Sequence, residues 1–87
     1  MSPKWSQVYV SPSAEKAIKR LPAREQARIR MAIETLLTEP DHADIKPLTG
    51  RPEWRLRVGN WRILFRIDEE ARVAVVVAVG SRGDVYK

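Results

Sequence analysis

The chain has 87 residues, a formal net charge of +5 and no cysteine. That length suits one domain spanning residues 1–87, and without thiols neither disulfides nor thiolate metal sites can staple it. Eleven of its sixteen basic residues are arginine, whose planar fork of donors suits phosphate, although a basic surface can equally serve solubility.

The first residues, MSPKWSQVYVSPSAEK, lack the apolar run of a signal peptide. "WSQVYV" (Trp5–Val10) is β-prone, rich in aromatic and β-branched residues. "SPSAEKAIKRL" follows as a helix, with Ser11 or Ser13 as cap and Pro12 near the first turn. Pro22 biases Leu21 away from helical angles and restarts a second helix. There Ile29, Ala32, Ile33, Leu36 and Leu37 fall at helical spacing and predict one buried stripe. Pro40 ends it, so two helices form a hairpin with almost no linker. "PDHADIKPLTGRPE" reads as a loop, dense in Pro, Asp and Gly.

The second half reads as strands. Trp54, Leu56 and Val58 alternate with Arg55 and Arg57, and Trp61, Ile63, Phe65 and Ile67 alternate with Arg62, Leu64 and Arg66. Gly59–Asn60 between them is a two-residue hairpin turn. That turn sets the register: Val58 faces Trp61, Arg57 faces Arg62, Leu56 faces Ile63, Arg55 faces Leu64, and Trp54 faces Phe65. One face of the hairpin is then apolar and must pack on the helices, and the other carries Arg55, Arg57, Arg62 and Arg66. "DEEA" makes the next turn. "RVAVVVAVG" is apolar at nearly every position, the mark of a central strand covered on both sides. Its apolar run, Val73–Val79, is too short to cross a bilayer as a helix. A soluble cytoplasmic protein with no membrane association is expected.

Like charges directly opposite in an antiparallel pair destabilise it. Glu53 can pair with Arg66 in this register, which makes Arg66 structural, but nothing nearby in sequence neutralises Arg55, Arg57 and Arg62. Either these arginines point into water or meet acids such as Asp84 or Glu70 in space, or the cluster awaits an anion, for which phosphate is the natural fit. The single histidine, His42, sits in a polar loop and is expected to be solvated.

At this point the residues carry a resemblance. "PLTGRPEWRLRVGNWRILFRIDEEARVAVVVAVGSRGDVYK" resembles the C-terminal half of RelE-type toxins of the RelE/ParE superfamily. The shared order is a loop with L-x-G, a strand with two basic residues one apart, a hairpin into an aromatic-Arg-aliphatic run, an acidic turn, an apolar strand ending in V-G-x-R, and a terminal V-Y. The helical half is similar too. The resemblance implies an α+β fold with an N-terminal strand and a two-helix hairpin packed on a mainly antiparallel sheet of about four strands.

It also implies a toxin of a type II toxin–antitoxin system, held inactive by a cognate antitoxin through which the complex binds operator DNA. RelE-type members cut mRNA in the ribosomal A site, without a cofactor. The family's site positions fall on Arg55, Arg57, Arg62, Arg82 and Tyr86. Lysine is common in the family at the first two, and here both are arginine. Because RNA carries its own nucleophile in the 2′-OH, such an enzyme needs no serine, cysteine or metal. Arginines could hold the scissile phosphate in line and stabilise its added charge, while Tyr86 could take part in proton transfer or stack on a base. Arginine itself stays protonated and makes a poor general base. ParE-type members share the fold, poison DNA gyrase and do not cut RNA; they generally lack the basic and tyrosine constellation. A plain nucleic-acid-binding module is the third reading.

Overall fold

The computed structural model describes residues 5–81. Strand β1 (Gln7–Val10) leads into helices α1 (Pro12–Lys19) and α2 (Ala23–Thr38), followed by strands β2 (Ile45–Pro47), β3 (Trp54–Val58), β4 (Trp61–Asp68) and β5 (Val73–Ser81). The strands form one five-stranded sheet in the order β1-β5-β4-β3-β2. Only the β1–β5 pairing is parallel. The expected α+β architecture is therefore present, with one strand more than the sequence suggested. The extra strand is β2, inside the segment read as a loop; a short 3₁₀ turn at Pro40–His42 precedes it. Among the described residues no helix is long and apolar enough to cross a membrane.

Local chemistry accounts for the helices. Ser11 caps α1, its Oγ accepting from the Ala14 amide at 3.3 Å, and Pro12 occupies the first turn. Ala14 and Ile18, four residues apart, are buried on the sheet side. From α2, Ile29 and Leu36 are buried and Ala32 and Ile33 pack against the same core. Leu37 was expected in that stripe but is exposed, since it lies a further 100° round the helix from Leu36. Arg30 ties the two helices together by donating to both carboxylate oxygens of Glu15. Those hydrogen bonds hold the Glu15 carboxyl below the ordinary carboxylate range and the Arg30 guanidinium above its own.

The core lies between the helices and one face of the sheet. It joins Trp5, Ile18, Ile29 and Leu36 to Leu56, Ile63, Phe65, Ala74 and Val76. Trp5 meets Phe65 edge-to-face at 5.7 Å, and its indole Nε1 donates to the Leu36 carbonyl at 2.9 Å. That bond satisfies one of the carbonyls left over at the end of α2. Trp54, Val58, Trp61 and Ile67 are half-buried and pack against this core, as the hairpin alternation requires.

Candidate nucleic-acid interface

The β3–β4 hairpin has the register set by its turn, from Val58 opposite Trp61 to Trp54 opposite Phe65. Gly59 opens the turn at φ +57°, a left-handed conformation that glycine adopts without penalty. α2 clamps the hairpin from the core side. Trp61 Nε1 donates to Glu25 Oε2 at 2.7 Å, and the Arg28 guanidinium lies against Gly59 so closely that a Cβ there would stand 2.6 Å from its Nη2.

On the outer face the register brings Arg57 directly opposite Arg62. Arg57 and Arg66 are exposed, and neither they nor Arg62 join any ion pair among the described residues. Arg62 turns one guanidinium nitrogen back onto the carbonyls of Gly59 and Trp61, at 3.3 and 3.1 Å. Arg55 differs. Its Nη2 donates to Asp44 Oδ1 at 3.3 Å, and its Nε is buried with no partner. The expected Glu53–Arg66 pair does not form; Glu53 accepts from Arg51 Nε at 3.0 Å, a partner two residues away that needs no reach across the ladder. Arg82 and Tyr86, like Asp84, lie outside the described residues. His42 is exposed and hydrogen-bonds Glu39 at 2.8 Å.

A β-bulge shapes this face. Leu64 pairs with Ala78 but Phe65 pairs with Val76, so Val77 is the extra residue on β5. The bulge moves every later residue of β5 to the opposite face. Val79 joins the core, and Gly80 becomes the neighbour of Arg62. Without it, Val79 would stand beside Arg62. The bulge therefore keeps a branched side chain away from the arginine pair.

The structure thus gathers Arg55, Arg57 and Arg62 on one surface, with Arg66 further along β4. It also adds two residues that the sequence reading missed, Lys46 on β2 and Asp44 just before it. The only signal was a lone apolar residue, Ile45, flanked by Asp44 and Lys46, which is too short an alternation to mark a strand. Chemically the surface is a set of charged N–H donors, several of them unengaged, suited to phosphate oxygens.

Comparison with known proteins gives the family and the fold. Residues 8–86 match the family model of the ParE toxin of the type II toxin–antitoxin system parDE. No curated protein matches the sequence. Among solved structures, the chain resembles one in the RelBE2 toxin–antitoxin complex from Mycobacterium tuberculosis, with 25% identity and a TM-score of 0.73, covering 88% of this chain and 98% of that one. A chain of the archaeal RelE–RelB complex from Pyrococcus horikoshii gives 23% identity and a TM-score of 0.73, with 90% and 96% covered. The isolated RelE toxin of E. coli gives 18% and 0.72, with 93% and 90% covered. The last two likenesses speak to the fold. The chain belongs to the ParE toxin family of type II toxin–antitoxin systems, within the RelE/ParE superfamily.

Proposed function

We propose that this toxin is a ribosome-dependent mRNA endoribonuclease, cleaving in the A site and so inhibiting translation. The observation that carries the reading is the Arg57–Arg62 pair, two arginines directly opposite one another in the hairpin register with no ion-pair partner among the described residues. Such a like-charge pair disfavours the hairpin, and a bound phosphate would relieve it. In the reaction the RNA 2′-hydroxyl gives up its proton to solvent as its oxygen attacks the adjacent phosphorus, the bond to the 5′-oxygen breaks to leave a 2′,3′-cyclic phosphate, and the departing 5′-oxygen takes up a proton. Arg57 and Arg62 hold the non-bridging oxygens as negative charge grows on them; Arg55 and Arg82 extend the set. None of the arginines exchanges the proton, because guanidinium stays charged, and this role falls to Tyr86. Among the described residues the arginine surface carries donors for phosphate and no side chain placed to read bases, so in this reading the ribosome presents the message.

The cognate antitoxin docks on the exposed sheet edge and the outer faces of the helices. Of the two edges, β2 carries Lys46 and Pro47, which discourage pairing, and β1 carries neither. Beside β1, Val8, Val10, Ile33 and Leu37 line a groove against α2.

The family match favours a second reading, poisoning of DNA gyrase without nuclease activity. Addition of the purified protein to a translation extract, to naked RNA and to gyrase with DNA separates the two. Cleavage confined to the extract supports the nuclease; intact message with trapped gyrase–DNA complexes overturns it.

A further inference from the structure

β2 contributes more than a fifth strand. Its register sets Lys46 directly opposite Arg55, on the same outer face as Arg57 and Arg62. Lys46 is exposed and joins no ion pair among the described residues. The face therefore stacks two like-charge cross-strand pairs, Lys46 with Arg55 and Arg57 with Arg62. Each is unfavourable to the fold taken alone. Residues 55 and 57 are ~6.7 Å apart along β3, and the two pairs lie in neighbouring strand gaps ~4.8 Å apart, so their centres are ~8 Å from each other. Long Arg and Lys side chains on that spacing reach successive phosphates of an extended single strand of nucleic acid.

One acid interrupts the pattern. The Asp44 carboxylate, 56% exposed, touches Arg55 through a single contact of 3.3 Å. Arg55 Nε is buried without an acceptor, so a ligand from solvent reaches only the terminal nitrogens of the fork, of which Nη2 contacts Asp44.

We infer that this face is a two-phosphate track for single-stranded nucleic acid. Arg57 and Arg62 take one phosphate, and Arg55 and Lys46 take the next. Asp44 is a resident carboxylate that holds Arg55 in place and that the second phosphate displaces. The inference rests on the nucleic-acid reading of the face and extends it to Lys46 on β2 and to Asp44 before it. A phosphate can bridge the terminal nitrogens of Arg55 and the Lys46 ammonium at once, whereas the Asp44 carboxylate forms no ion pair with Lys46.

The test is fluorescence anisotropy of a short labelled single-stranded oligoribonucleotide, titrated with wild type, Lys46→Ala, Lys46→Gln and Asp44→Asn over a range of salt. Both Lys46 variants should bind about threefold to tenfold more weakly, with the salt slope reduced by about one. Asp44→Asn should bind severalfold more tightly, because the competing anion is gone. A deoxyoligonucleotide of the same sequence should give the same ranking, since the track reads phosphates. Wild-type affinity and salt slope in both Lys46 variants overturn the track. So does weaker binding by Asp44→Asn, or no binding by the wild type. If an acidic peptide responds to the Lys46 changes and the oligonucleotide does not, the face is a protein-docking surface and the track falls. The measurement needs no ribosome. Failure to cut mRNA in the extract would therefore reject the nuclease reading while leaving the track standing, and loss of the Lys46 effect would do the reverse.

Discussion

Arg62 separates a functional from a structural account of the basic face. Its only side-chain hydrogen bonds among the described residues go to carbonyls of its own turn, and its cross-strand neighbour is another arginine. Arg62→Ala should therefore leave the melting temperature unchanged or raise it slightly. Its rate of mRNA cleavage should fall about a hundredfold, or ~3 kcal/mol of transition-state stabilisation. Melting and cleavage measured on the same preparation check both halves. Gly59 makes a contrasting case. Gly59→Ala forces a Cβ into the left-handed region and toward Arg28, so it should cost about 1–2 kcal/mol in urea unfolding. Both residues were legible in the sequence, because a two-residue glycine turn leaves only one register. Arg55 was not. Its partner Asp44 lies eleven positions away, in a segment whose Pro, Asp and Gly content hid a three-residue strand.

At the level of elements, the hairpin reads itself from its alternation, and β5 does not. Val73–Val79 is apolar at every position, so nothing in it reveals where the register slips. The bulge at Val77 and the exchange of Gly80 for Val79 beside Arg62 appear only in the ladder. Gly80→Val should crowd Arg62 and lower cleavage about tenfold or more, while circular dichroism and melting stay near wild type. The helix pair gives a prediction in pH. Because Arg30 lowers the folded-state pKa of Glu15, this tether stabilises the fold above the ordinary carboxylate range and is lost as pH falls through the lowered value. Arg30 stays charged throughout. Glu15→Gln should melt below wild type at neutral pH, and the gap should close in acid. A gap that persists in acid would show that the tether is not ionic.

Over the whole molecule the two sides of the sheet have different work. One is closed by α1 and α2 over a core anchored by Phe65, which is fully buried; Phe65→Ala should cost about 3–5 kcal/mol. The other side bears the arginines. In the proposed reading the antitoxin takes the β1 edge, where Tyr9 is exposed, and the outer surface of α2, where Met31 is exposed. Met31→Asp should fold normally and retain less of a small protein encoded next door on co-purification. The account depends most on the claim that the arginine pair cuts mRNA on the ribosome. The direct measurement maps mRNA 5′ ends in a translation extract given wild type or the Arg57→Ala/Arg62→Ala double variant. The account predicts cuts within A-site codons with wild type, and their loss with a double variant that melts no lower. Cuts that persist at the wild-type rate in the folded double variant, or no cuts with wild type, would contradict it.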